Sequence, residues 1–477
     1  MTKRRASGRG GVNPFKDFDT LVPKVLKGWS VPGVGIGVVY KGKTVYTNGY
    51  GLRDAERGLP FTAETRSVIG SCTKAMTATL LGILVDERKL EWDRPVVDYM
   101  PWFGLSDPVA TQRVTARDLM SHRTGLPGHD RLWSGSPLTR RRLVERLRYL
   151  PMSKDIRTTF QYNGLTYITA ALLIEEITGV VWEDFLRQKL LEPLAMDTHY
   201  FSVDQVQKCD NFAQPYLVRD GKAHRVPHYE HPQIAPAGPT CFSAADMCQW
   251  LIMQLGVGKF GRKQIISSDN IKQTHRPCSW PTGVIGYPKV CHQAYGMGWM
   301  IGECEGRHYI NHGGGISGFT AFVSMLPNEQ AGVVVLVNVG GSGVPGIINR
   351  SVYDRLLGWE LVDRSAIAKR EKRKAEASAT KPKRPRRVVG TRPSHALSAY
   401  AGKYEHPGYG TLSIRRSGRG LVASYNATEG ALKHWHYDVF EWPKCGPQLT
   451  FHMNREGQIA SLSVPFEPLA DEILFKR

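Results

Sequence analysis

Four consecutive residues, Ser71-Cys72-Thr73-Lys74, carry the strongest chemical signal in the chain. Positions i and i+3 share one face of a helix, so the serine hydroxyl and the lysine amine can meet. A serine at a helix start also lies at the positive end of the dipole, which favours negative charge developing on its oxygen. Lys74 is the only Lys, Arg, His, Asp or Glu between Ser71 and Asp86. Desolvated in so apolar a segment, its amine would lose its proton readily and serve as a base. The plainer alternative is an N-capping serine beside a lysine that snorkels to water. A second candidate is Phe160-Gln161-Tyr162-Asn163-Gly164, a polar turn ahead of a helical stretch over 166–178. A tyrosine there can relay a proton if a nearby cation lowers its pKa; alone, it reads as a surface or half-buried tyrosine. The third candidate, Asn311-His312-Gly313-Gly314-Gly315-Ile316-Ser317-Gly318-Phe319, precedes a strand over 320–325. Consecutive glycines let a ligand approach the backbone, and their N–H groups suit an oxyanion hole. His312 could orient a carboxylate or shuttle a proton. A tight glycine turn with a satisfied histidine explains the same residues equally well.

Holding these segments together requires a framework. Two β-rich runs within 31–51 flank Lys41-Gly42-Lys43, a hairpin signal. The stretch 71–84 is apolar or small nearly all round, which predicts a buried helix. Helical spacing also marks 114–120 and 166–178, and a further helix is expected around 347–357. The unbroken β-branched run over 331–339, after Pro327-Asn328-Glu329-Gln330, predicts a central strand entered through a hairpin. Helices between early and late strands imply an α+β body whose terminal strands share one sheet. Residues 362–392 are charged, Ala-rich and then Pro-rich, a helical or semi-rigid spacer. Short alternating stretches over 410–415, 420–425, 448–453 and 459–464 predict a small antiparallel barrel or sandwich.

The chain has 477 residues, 41% of them hydrophobic, and a formal net charge of +20. Ten Lys/Arg and two Glu lie between 369 and 387, and Lys3, Arg4, Arg5 and Arg9 add four more cations. Neither stretch contains an aromatic residue, so a nucleic-acid partner is not expected. Lys381-Pro-Lys-Arg-Pro-Arg-Arg387 reads as a solvated linker; a nuclear-localisation or polyanion-binding patch stays open. No run of 18 apolar residues exists, so no membrane partner is expected. The basic start lacks an apolar h-region, and the eight cysteines form no C-x-x-C pair. Reduced thiols, a cytoplasmic location and no metal or cofactor are the corresponding expectations.

Taken together, Ser71-x-x-Lys74, Tyr162 and His312-Gly-Gly resemble the penicillin-recognising serine hydrolases in order and spacing. This group includes class C β-lactamases, D,D-carboxypeptidases, D-aminopeptidases and related esterases. Val114-Thr-Ala-Arg-Asp-Leu-Met-Ser-His-Arg-Thr-Gly-Leu-Pro127, Leu191-Glu-Pro-Leu-Ala-Met196, Ala235-Pro-Ala-Gly238 and Tyr295-Gly-Met-Gly-Trp299 fit the same resemblance. It implies an α+β (α/β sandwich) catalytic domain of β-lactamase/transpeptidase type, with an antiparallel sheet and an all-helical subdomain. The corresponding division is a disordered basic tail over 1–12, the catalytic domain over 13–361, a basic linker over 362–392 and a β-barrel over 393–477. That last part resembles a lipocalin-like C-terminal domain. The implied activity is acyl transfer to or from a small ester, amide, peptide or lactam substrate. Ser71 is the implied nucleophile, with Lys74 and Tyr162 handling protons. The backbone N–H groups of Ser71 and Gly315 would hold the oxyanion, and His312, Gly314 and Asn163 complete the substrate-binding set. In one respect the chain departs from the pattern: the family's Tyr-x-Asn reads Tyr162-Asn163-Gly164 here, with glycine where the substrate-binding amide is expected. A catalytically silent, ligand-binding member is the alternative this suggests, and homo-oligomerisation stays open.

Overall fold

The computed structural model describes residues 13–197, 199–228, 232–281, 290–378 and 386–477. The tail 1–12 and most of the Lys381–Arg387 basic run lie outside the described residues. An eight-stranded antiparallel sheet forms the centre. The expected early hairpin joins β1 (Gly33–Tyr40) to β2 (Lys43–Asp54), with Gly42 at φ +74° in the turn. β3 (Leu59–Pro60) closes that edge. The late strands are β4 (Val290–Tyr295), β5 (Met300–Cys304), β6 (Arg307–Ile316), β7 (Phe319–Leu326) and β8 (Ala331–Val337). Val34 lies opposite Val337 and Tyr40 opposite Ala331, so the sheet order is β4-β5-β6-β7-β8-β1-β2-β3. The first and last thirds of this body therefore meet at its middle.

β8 is buried along its whole length, which explains an unbroken apolar run instead of an alternation. Val333, Val335 and Val337 pack with α1 (Phe18–Gly28), while Val334 and Leu336 join the core on the opposite face. That second face is covered by α2 (Lys74–Asp86), α3 (Ala116–Met120), α4 (Leu165–Thr178) and α5 (Ala244–Leu255). α6 (Val344–Leu356) returns to lie beside α1. Glycines alternate along β1 because that face is crowded: a Cβ at Gly33 would stand 2.4 Å from the Leu52 carbonyl oxygen, one at Gly35 2.9 Å from the Phe61 ring, and one at Gly37 2.5 Å from Cys248 Sγ on α5. The spacer begins as α7 (Arg364–Ser378), tied back by Trp29 Nε1 donating to Ser365 Oγ at 2.9 Å and by an Arg364–Asp354 ion pair at 2.7 Å. Among the described residues, no single helix is long and apolar enough to cross a membrane.

The C-terminal strands run as β9 (Gly402–His406), β10 (Gly410–Ser417), β11 (Gly420–Tyr425), β12 (Thr428–His436), β13 (Val439–Glu441), β14 (Gln448–Met453), β15 (Ile459–Val464) and β16 (Ile473–Lys476). They close into an antiparallel barrel through Glu405 opposite Lys476. Aromatic rings fill its interior: Tyr400 and Phe451 have centroids 5.0 Å apart, Tyr425 and Phe466 4.9 Å. These rings belong to the same continuous apolar core as α2 and α4. Polar contacts reinforce the junction. Asn426 Nδ2 donates to the Arg131 and Ser134 carbonyls, each at 3.1 Å, and Glu467 Oε2 accepts the His129 N–H at 2.7 Å. The barrel is thus built onto the helical face beside segment 126–136.

Candidate active site

Ser71 lies in a 3₁₀ turn, Gly70–Thr73, and α2 proper begins at Lys74, three residues later than the expected helix. The reason is a close approach of two backbones. A Cβ on Gly70 would stand 2.6 Å from the Gly315 nitrogen, and one on Gly314 would stand 1.8 Å from the Ile69 carbonyl oxygen. Only glycine on both sides allows this contact, and Cys72 Sγ adds a hydrogen bond to the His312 carbonyl at 3.2 Å. The glycine triplet is not a turn, as one reading of the sequence had it. It forms the second half of β6, with Gly313 opposite Phe322 and Gly315 opposite Thr320 on β7. β5 pairs with β6 only as far as Asn311, so the other edge of 312–316 is left to the Ser71 turn.

Lys74 is 2% exposed. Its Nζ donates to Ser71 Oγ at 3.1 Å and to the Ala237 carbonyl at 2.7 Å, and stands 4.7 Å from the centre of the Tyr162 ring. Burial pulls its pKa from 10.5 down to about 7; the Asp130 carboxylate and the Cys72 thiol oppose the shift without reversing it. The Ala237 carbonyl is held in place because its neighbours are stitched to α2. Thr77 Oγ1 donates to the Pro236 carbonyl at 2.8 Å, and Thr73 Oγ1 to the Gly238 carbonyl at 3.2 Å.

Tyr162 reaches Ser71 from a separate loop, which the 114–127 stretch supports. Thr115 and Asp118 form a capping box at the start of α3. Asp118 also accepts Arg123 Nε at 2.6 Å and an Arg157 guanidinium nitrogen at 2.8 Å, laying the 151–164 loop alongside. Tyr162 lies over the Lys74 amine, and the Ser71 side chain beside it favours the phenolate. Crowding by protein atoms pushes the phenol pKa upward, although 43% of the residue still faces the open cleft. The structure therefore brings Ser71, Lys74, Tyr162, Gly314 and Gly315 together. His312 joins them from β6, with Nε2 3.0 Å from the Tyr295 hydroxyl and Nδ1 2.6 Å from the Gly313 carbonyl. Both of its ring nitrogens are already engaged.

Asn163 requires a correction. It was expected among the substrate-binding residues, yet it is fully buried and faces away from the cleft. Its Nδ2 donates to the Leu126 and Pro127 carbonyls at 3.2 and 2.5 Å, while Oδ1 accepts the Leu165 N–H at 2.7 Å and the Thr166 N–H at 3.4 Å. The carboxamide caps α4 and pins the 126–127 turn, with no hydrogen-bonding capacity to spare. A side chain at Gly164 would instead meet Ile234 Cδ1 at 3.2 Å and Ala237 Cβ at 3.9 Å, so apolar groups already fill that space. The sequence assigned no role to the Ala237 carbonyl, Asp130, Tyr295 or His122, all of which bear on the site, although all but Asp130 fall within runs that carry the resemblance. Among the described residues, no group of three His, Cys, Asp or Glu is placed to hold a metal ion.

Such an arrangement can transfer the serine proton to a neutral amine and offer two backbone N–H groups to an oxyanion. A three-layer body with a Ser–Lys pair at the start of a buried helix defines a protein of β-lactamase and penicillin-binding-protein type. The sequence profile of the Beta-lactamase family matches residues 18–357, and the chain belongs to that family of serine hydrolases. Residues 386–477 match a domain of unknown function, DUF3471. The chain is similar to Unguisins hydrolase ungD' of Aspergillus campestris, 30% identical over 433 residues, covering 84% of this chain and 77% of that protein. Protein flp of Staphylococcus aureus (strain MRSA252) is 24% identical over 348 residues, covering 70% of this chain and 64% of its own. In fold, the chain resembles the octameric penicillin-binding protein homologue from Pyrococcus abyssi, with a TM-score of 0.66, 22% identity and coverage of 96% and 99% of the two chains. A class C β-lactamase from Rhodobacter sphaeroides shares the fold with a TM-score of 0.56 at 20% identity, over 71% of this chain and 98% of its own.

Proposed function

We propose that the protein hydrolyses an ester or amide bond in a small molecule or peptide through an acyl-enzyme on Ser71. The observation that carries this reading is the Lys74 amine, buried, with a pKa near 7 and 3.1 Å from Ser71 Oγ. As Oγ bonds to the substrate carbonyl carbon, its proton passes to the neutral Lys74 amine. The carbonyl oxygen becomes an oxyanion held by the N–H groups of Ser71 and Gly315. Collapse of this intermediate breaks the bond to the leaving group, which takes a proton through Tyr162. Water then enters, gives a proton back through the same pair, and releases the acid and the serine. A relative named as a hydrolase supports water as the acceptor. Gly164 offers no side-chain donor where the resemblance expects a carboxamide, and Ile234 and Ala237 fill the space beside it, so a lactam or peptide carbonyl would lack that hydrogen bond.

A fluorophosphonate probe tests the reading directly. Wild-type protein should gain the mass of one adduct on Ser71, and Ser71→Ala should gain none. An unlabelled wild type that still binds ligand would favour the silent alternative. A panel of p-nitrophenyl esters, amino-acid amides and β-lactams should show esters turned over and the β-lactams poorly hydrolysed.

A further inference from the structure

His122 is fully buried beside the site but contacts neither Ser71 nor Lys74 by a hydrogen bond among the described residues. Its backbone adopts φ 57°, a left-handed conformation uncommon outside glycine. From that position it grips the catalytic loop at two points. Its carbonyl oxygen accepts the Gln161 N–H at 2.8 Å, and its ring Nδ1 accepts the Asn163 N–H at 3.1 Å. These are the N–H groups of the residues on either side of Tyr162. The imidazole itself lies against the phenol, with ring centroids 4.3 Å apart.

A backbone N–H can only donate, so Nδ1 carries no proton in this contact. The ring is walled by Phe160, Tyr167 and Tyr295 at 5.5, 5.3 and 4.9 Å, and Nε2 has no hydrogen-bond partner among the described residues. Lys74 from α2, His312 from β6, and the tyrosines 162, 167 and 295 are the titratable groups around it. Burial first, then the Lys74 and His312 charges, hold its pKa well below 6.5, so the acceptor persists at neutral pH. A histidine serving only to fill the core would have no need of three contacts converging on residues 161–163.

We propose that His122 is a positioning residue: its carbonyl and Nδ1 clamp the amides on either side of Tyr162, and its ring sets the phenol toward Ser71. The proposal rests on the acyl-enzyme reading above. Three variants test it. His122→Asn keeps an acceptor at the δ position and tolerates a left-handed backbone. His122→Phe keeps a ring and loses the acceptor. Tyr162→Phe removes the phenol oxygen alone. Steady-state hydrolysis of p-nitrophenyl acetate is measured on each, per mole of protein folded by circular dichroism.

His122→Phe should lower kcat by about 10²-fold, the cost of misplacing a reacting group by about 1 Å, with KM changed by less than about twofold. His122→Asn should recover about tenfold of that loss, as expected for one regained hydrogen bond. Because His122 acts through Tyr162, the double variant His122→Phe/Tyr162→Phe should be no slower than Tyr162→Phe. Additive losses in the double variant, or His122→Asn as slow as His122→Phe, overturn the proposal. If His122→Phe fails to fold, the cycle of His122→Asn with Tyr162→Phe decides on the same additivity criterion. A wild type that fluorophosphonate leaves unlabelled overturns the acyl-enzyme reading. The clamp is then judged by a crystal structure of His122→Phe, or of His122→Ala if that variant does not fold, each of which removes the Nδ1 acceptor and leaves the Asn163 carboxamide in place. A Tyr162 phenol moved away from Ser71 supports the clamp, and an unmoved one overturns it.

Discussion

Lys74 decides the pH range in which the site can work. The base is the neutral amine, so protonation below about 7 removes it. The rate of ester hydrolysis should therefore rise with pH and level off above about 7, read from a pH profile of kcat/KM. Asp130 pushes the lysine pKa upward, so Asp130→Asn should move that acid limb to lower pH. Lys74→Arg keeps a permanent cation at the same place and should cost on the order of 10³-fold on the plateau above about pH 7, the usual worth of a general base, with a smaller deficit on the acid limb. The meeting of Ser71 and Lys74 was legible from their i, i+3 spacing in an apolar stretch, whereas Tyr162 alone read as an ordinary tyrosine and joined them only through the family resemblance. Asn163 was misread because adjacent loop residues point in different directions, and only the tertiary structure showed the carboxamide spent on capping. His122 was invisible as a functional group: its contribution depends on a left-handed backbone and on a loop forty residues away.

At the level of elements, β6 is the part whose sequence says least. Three glycines carry no side-chain pattern, so strand pairing with β7 could not be read from them, and a turn seemed as good an account. Their alternation in the strand makes a sharp forecast. A Cβ on Gly314 would meet the Ile69 carbonyl oxygen at 1.8 Å, whereas one on Gly313 would meet only Phe322 at 3.8 Å. Gly314→Ala should push β6 off the Ser71 turn and abolish fluorophosphonate labelling, while Gly313→Ala should label at nearly the wild-type rate. By contrast, β8 and the β1–β2 hairpin were plain from a buried β-branched run and a glycine turn. The C-terminal strands were recognisable individually, but barrel closure depends on Glu405 meeting Lys476, a pairing with no local signal.

For the whole molecule, the barrel is more brace than appendage. Its rings continue the core of the helical face, and Asn426 and Glu467 hold the segment that carries Asp130 toward Lys74. A shared core should unfold as one unit, so calorimetry should record a single heat-absorption peak whose calorimetric and van't Hoff enthalpies agree. Two separated peaks would mean that the junction contributes little. The long spacer gave the sequence no means of showing this, since a linker of that length permits docking and independence alike. The pairing of β1 with β8 has a consequence for how the protein is made. Val34 needs Val337 as its neighbour, so the ribosome must deliver most of the chain before β1 is enclosed. Until then Val34, Ile36 and Val38 remain sticky on a growing polypeptide, and the nascent chain should depend on chaperones through most of its synthesis.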